Sequence, residues 1–476
     1  MDKFYGRQKQ FFILKQLLEK KTASLAVLKG RRRIGKSRLA LEFSRLFSKA
    51  FLFTGLPPDS KVTAQQQRDE FIRQLREQQI PSSGSQDWGD LFHDLAQYTK
   101  TGRALIVLDE ITWMGSLDPT FLGKLKIAWD NYFKNNPNLI LVLSGSNSAW
   151  IEENILSKTG FFGRISLRVT LEELSLYHCN EFWGALKDKI SSYEKLKVLA
   201  VTGGIPRYLE EIHPELTAEQ NIYQLCYQRE GVLFNEFDEI FADLFQKRSQ
   251  KYKDIVSCLA DGKKSIEEIA NALGRKKGGD LSELLQNLTQ DGFISRDYSW
   301  NIKQAKVGKI SQYRLSDNYL RFYLKYIQPH RYQIEMDEMS ALPPGWETIL
   351  GLQFENLVIN NRKILHRLLN IPSSEIVLCN PYLQTETKQH AKCQIDYLIQ
   401  TRFNTLYVCE IKFSKTEIGS SVIKAVQEKI AKLSIAKNFS IRPVLIHVNG
   451  VSDKVLSADY FANIINFSDF LSKPVE

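Results

Sequence analysis

Short runs of consecutive apolar residues punctuate the first third of the chain. "SLAVL" (24–28), "ALIVL" (104–108) and "NLILVL" (138–143) are apolar without alternation, the pattern of strands covered on both faces. After the first run the period changes: Leu39, Ala40 and Phe43 recur at helical spacing. Residues 171–240 keep that spacing, with Leu196, Leu199 and Ala200 as examples. Two amphipathic helices follow around the Gly-rich turn of "ALGRKKGGD", with Ser265 and Glu268 spaced to cap the first and Asp280 to cap the second. A β-ribbon is predicted from Phe293 through "SQYRLSD". Past Pro343-Pro344-Gly345 a helix opens a new unit, and strands "CQIDYLIQ", "LYVCEIKFSK" and "RPVLIHVN" follow, with the helical stretch "IKAVQEKIAKL" before the last. The pattern as a whole is α/β.

The first chemistry sits where the first strand meets its helix. The loop Gly30-Arg31-Arg32-Arg33-Ile34-Gly35-Lys36-Ser37, continuing into Arg38, has the spacing of a phosphate-binding loop in the strand–loop–helix context it requires. Glycines let backbone N–H groups converge on phosphate oxygens, and the helix N-terminus adds favourable dipole. Lys36 is expected to reach the outer phosphates of ATP and Ser37 to hold Mg²⁺. The second strand ends in Asp109, suited to Mg²⁺, and Glu110, suited to orient and deprotonate an attacking water. The third closes with Ser144 and Ser146, polar groups at the γ-phosphate end.

The second chemistry is C-terminal. "TRFNT" reads as a hairpin turn between the strand carrying Asp396 and the strand carrying Glu410 and Lys412, so the two acids should lie side by side with Lys412 on the side of Glu410. Paired acids need a cation, and oxygen ligands without a His or Cys cluster favour Mg²⁺. Glu355, on the preceding helix, adds a further acid. Metal-dependent cleavage of a phosphodiester is the chemistry this set suits, with Asp396 and Glu410 as metal ligands.

The order of the N-terminal motifs resembles the AAA+ superfamily, and more narrowly the archaeal-type ATPases also abundant in bacteria. "FYGRQKQFFIL" (4–14) is similar to the F-x-G-R-x-x-E-L box that contacts the base in that family, with Gln10 in place of the acid. The resemblance implies Ser144 as sensor of the γ-phosphate, Arg164 as arginine finger of its own or a neighbouring subunit, and Arg207 in "GGIPRYL" as lid sensor. The C-terminal set resembles the PD-(D/E)xK restriction-endonuclease-like fold. That likeness implies Glu355, Asp396, Glu410 and Lys412 as the catalytic set, with Gln427 on the following helix. The implied order is an AAA+ core over 1–170, a helical lid over 171–245, a winged helix over 246–330 and a nuclease-like α/β domain over 340–476.

Composition adjusts this picture modestly. A chain of 476 residues, 43% apolar and 25% charged, is globular and too long for one core. Its charged N-terminus and lack of a long apolar run predict a cytoplasmic protein with no membrane partner. Six scattered cysteines form no C-x-x-C pair. The net charge of +10 is uneven: residues 246–310 hold 13 Lys/Arg against 8 Asp/Glu, which favours a polyanion such as DNA. Basic residues flank the second amphipathic helix rather than occupy it, so backbone contacts are expected over base reading. A homo-oligomer and a regulatory protein partner are both compatible with the sequence. The function expected is an ATPase whose nucleotide state controls a DNA nuclease; the alternative is a nucleotide-dependent switch whose C-terminal fold binds without cutting.

Overall fold

The computed structural model describes residues 4–57, 62–115, 117–245, 248–386 and 391–473. It divides into two compact units. The first comprises Met1–Glu173 with Asp238–Gln250 and Gln290–Gly292; the second comprises Leu174–Phe237, Lys251–Thr289 and Phe293–Glu476.

The first unit is built on five strands: β1 (Ser24–Lys29), β2 (Lys49–Thr54), β3 (Ala104–Asp109), β4 (Leu139–Gly145) and β5 (Ile165–Thr170). They are parallel throughout, in the order β2-β3-β4-β1-β5. Every residue of β3 and β4 is buried, which is why these strands read as unbroken apolar runs. An aromatic cluster of Phe71, Trp88, Phe92 and Phe121 packs in the core of this unit, with the Trp88 and Phe121 ring centroids 4.8 Å apart. Because β1, β3 and β4 are adjacent and parallel, their C-terminal ends deliver Lys29, Asp109 and Gly145 to one edge.

In the second unit, helix Ile266–Ala272 carries the full Ser265–Glu268 capping box expected from the sequence. Helix Gly279–Gln290 starts one residue before Asp280, so that carboxylate lies in the first turn, 3.4 Å from the Lys251 ammonium, and not at the cap. A two-stranded antiparallel ribbon, β6 (Ile294–Asn301) and β7 (Lys306–Leu315), follows. The second sheet contains β8 (Ile376–Gln384), β9 (Cys393–Thr401), β10 (Thr405–Ile411), β11 (Ser440–His447) and β12 (Asn463–Asn466), in the order β12-β11-β10-β9-β8. β8, β9 and β10 are antiparallel neighbours, whereas β11 runs parallel to β10 after a crossover through helix Ser421–Lys432. No helix among the described residues is long and apolar enough to cross a membrane.

Candidate functional site

The phosphate-type loop hangs between β1 and helix Lys36–Ser44. Its glycines are required by geometry. A Cβ on Gly30 would come within 2.5 Å of the Leu171 carbonyl oxygen, and Gly35 caps the helix in the left-handed region at φ 90°. Lys36 is buried, and its ammonium spends its donors on the Gly30 carbonyl (2.9 Å), the Arg31 carbonyl (3.0 Å) and Ser146 Oγ (2.9 Å). Burial holds its pKa below the usual lysine value against the pull of Glu110 and Asp109.

The acids of β3 meet this loop. Ser37 Oγ donates to Asp109 Oδ2 at 2.5 Å, bringing together the two oxygen groups assigned to Mg²⁺. A hydroxyl beside a carboxylate is a donor set that suits that hard cation. Glu110 adopts φ 47°, a strained backbone for a non-glycine residue, and accepts from Ser146 Oγ at 2.5 Å and Ser146 N–H at 3.1 Å. Burial raises the Glu110 pKa, with Lys36 opposing. Ser146 thus links Lys36 to Glu110. Ser144 behaves differently: it is fully buried within β4, and its hydroxyl has no hydrogen-bond partner among the described residues. Both serines lie at the end of β4, but it is Ser146 that joins the network.

Arg7 was not singled out from sequence, although it belongs to the "FYGRQ" box. It is buried, and its guanidinium donates to the carbonyls of Ile34 at 2.9 Å and Glu172 at 2.8 Å, tying the loop to the chain after β5. Arg32 and Arg33 are engaged by acids of the Asp238–Gln250 segment: Arg32 by Asp243 (2.9 Å) and Arg33 by Glu239 (2.8 Å). Arg31 lies 3.6 Å from Glu173, and Arg38 3.2 Å from Glu42. Arg164 forms a two-bond fork with Asp130, both contacts 2.8 Å. In the second unit Arg207 is half exposed and pairs with Glu211 at 2.6 Å.

The acid pair forms as the hairpin predicts. Cys409 faces Tyr397 in the register, so Glu410 comes next to Asp396. Both are largely buried, and Asp396 Oδ2 accepts the Ile411 N–H at 2.9 Å. Burial first, and Glu410 second, push the Asp396 pKa well above the usual carboxylate range. The cation beside the pair is Lys429, from helix Ser421–Lys432. Its ammonium contacts Glu410 and lies 3.6 Å from Asp396 Oδ1. Lys412, just beyond β10, is exposed; its N–H donates to the Ile446 carbonyl at 2.9 Å, and its ammonium pairs with no described residue. Glu355 is held by Lys263 at 2.6 Å. Gln427 is exposed. Among the described residues no three His, Cys, Asp or Glu side chains converge, so the donor set is two carboxylates, which suits Mg²⁺ completed by water and phosphate rather than a closed protein cage.

A family model described as an AAA domain matches residues 19–150. The match takes in β1 to β4 and the loop between β1 and its helix. The solved Walker-type ATPase PABY2304 of Pyrococcus abyssi is similar in fold, with a TM-score of 0.50 at 18% identity over 68% of this chain and 96% of that one. The Aeropyrum pernix ORC2 protein, solved as ADPNP–ADP complexes, has a TM-score of 0.41 at 14% identity over 71% of this chain and 97% of its own. Among curated proteins, the uncharacterized protein MJECL04 of Methanocaldococcus jannaschii is 25% identical over 359 residues, 74% of this chain and 76% of that protein. The five-stranded parallel sheet of the first unit matches the P-loop AAA fold.

Proposed function

We propose that the chain is an ATP-hydrolysing AAA+ protein whose nucleotide state controls a divalent-cation-dependent DNA-cleaving site in its second unit. For the ATPase, the network Lys36–Ser146–Glu110 beside Ser37–Asp109 carries the reading. Lys36 trades its loop carbonyls for phosphate oxygens. Glu110, kept basic enough by burial, receives the proton of the attacking water, and Ser146 holds that carboxylate in place. Ser37 and Asp109 would hold Mg²⁺, which when bound neutralises phosphate charge. Turnover lost in Lys36→Ala, and nucleotide binding kept with slowed turnover in Glu110→Gln, are the expected results; unchanged turnover in both would contradict the assignment.

For the second unit, the adjacency of Asp396 and Glu410 on paired strands supports the nuclease reading, with Glu355 and Lys412 completing the proposed set. Asp396 and Glu410 would hold Mg²⁺, whose contribution when bound is Lewis-acid polarisation of a phosphodiester. Exposed Lys303, Lys306 and Lys309 at the ribbon end supply phosphate contacts for DNA.

A second reading, a nucleotide-dependent switch that does not cut, is favoured by one observation. Helix Gly279–Gln290 exposes Ser282, Glu283 and Gln286 and spends Asn287 on the Tyr252 hydroxyl at 2.9 Å, which is a poor surface for reading DNA.

A further inference from the structure

Resting on the reading of Asp396 and Glu410 as a divalent-cation site, we propose that Lys429 is a built-in counter-ion. Cation binding there is then an exchange with the Lys429 ammonium.

The local sequence explains why this lysine is present. In helix Ser421–Lys432, Val422 and Val426 are buried and define the face turned to the sheet, while Lys424, Gln427 and Glu428 are exposed. Lys429 follows Val426 by three residues and so shares its face. It reaches both acids: it contacts Glu410 Oε2 and lies 3.6 Å from Asp396 Oδ1. The second oxygen of Asp396 is already committed to the Ile411 N–H. Two oxygens a metal would draw on, Asp396 Oδ1 and Glu410 Oε2, are therefore the ones beside the Lys429 ammonium.

Two neighbouring carboxylates removed from water need a positive charge between them. Lys429 supplies it without any metal, and Lys263 does the same for Glu355. A divalent ion cannot share those oxygens with an ammonium, because like charges at contact distance repel strongly in a partly buried site. Lys429 must therefore move, and its flexible four-carbon stem permits that. The displaced ammonium stays near the site, where a phosphodiester can receive it. Cation affinity is consequently low until a polyanion arrives, and the acid pair stays folded and neutralised meanwhile.

The test is a Mn²⁺ titration by calorimetry of the full chain without nucleotide, the site being assigned as the signal lost in Asp396→Asn/Glu410→Gln. Lys429→Met should bind Mn²⁺ about tenfold more tightly than wild type and melt lower without metal, with Mn²⁺ restoring it. Lys424→Met, which removes the same charge from the exposed face, should match wild type within about twofold. Equal or weaker affinity in Lys429→Met, or no Mn²⁺ signal at the pair in any form, overturns the proposal. Should Lys429→Met not fold, amine acylation of wild type read by mass spectrometry decides: Lys429 should label several-fold faster with Mn²⁺, and an unchanged rate overturns the exchange. Tighter Mn²⁺ binding with no DNA cleavage by any form would sink the nuclease reading and leave the exchange standing. Cleavage by wild type with unchanged affinity in Lys429→Met would do the reverse.

Discussion

Ser146 donates its hydroxyl to Glu110 at 2.5 Å while accepting the Lys36 ammonium at 2.9 Å. A single hydroxyl thus stands between the group assigned to phosphate and the group assigned to water. A hydrogen bond to a charged group contributes about 1.5–3 kcal/mol.

Ser146→Ala should therefore slow ATP turnover by about 10- to 100-fold with little loss of nucleotide binding. Ser144→Ala should leave turnover nearly unchanged, since the Ser144 hydroxyl is buried without a partner. Steady-state kinetics of the two variants separate these roles; the opposite ranking would return the sensor role to Ser144.

The arginines of the loop are already occupied. Arg32 and Arg33 are paired with Asp243 and Glu239, carboxylates that would compete with a bound phosphate for the same donors. Burial raises the Asp243 pKa, with Arg32 opposing. The double variant Glu239→Gln/Asp243→Asn should bind ATP about three- to tenfold more tightly, measured by calorimetry. Weaker binding would mean that the pairs build the loop rather than compete with the ligand.

Asp291 gives a pH signature. Its carboxylate accepts the Ser148 N–H at 2.7 Å, and burial pushes its pKa up to about 7, against Lys29 and Lys36. Between its unfolded value and about 7 the native state binds more protons than the unfolded state, so this group's contribution to stability falls as pH rises through that window. Asp291→Asn keeps an acceptor oxygen without the charge. It should flatten the pH dependence of the melting temperature from about 4 to 7 and melt no lower than wild type at pH 8. A steeper dependence in the variant would contradict this.

The parallel sheet of the first unit was legible because β1, β3 and β4 are covered on both faces and so carry no polar interruptions. β2 and β8 were not: in "KAFLFT" the buried Phe51 and Phe53 alternate with half-buried Ala50 and Leu52, apolar residues that hide the period, and "IVLCNPYLQ" has no regular alternation. The hairpin register carrying Asp396 and Glu410 could be derived from the turn and the period of two alone. Lys429 had a signal too, its three-residue spacing from Val426, whereas the "ExK" pattern points to Lys412. Arg7 had none beyond its motif, because its partners lie 27 and 165 residues away.

If nucleotide state controls cleavage at the acid pair, the decisive measurement is incubation of linear, circular and single-stranded DNA with the purified protein and Mg²⁺ or Mn²⁺, with and without ATP, beside Glu410→Gln and Lys36→Ala. Cation-dependent cleavage is expected, lost in Glu410→Gln and no longer responsive to ATP in Lys36→Ala. Cleavage that persists in Glu410→Gln, or intact ATP hydrolysis with no cleavage of any substrate, would contradict it.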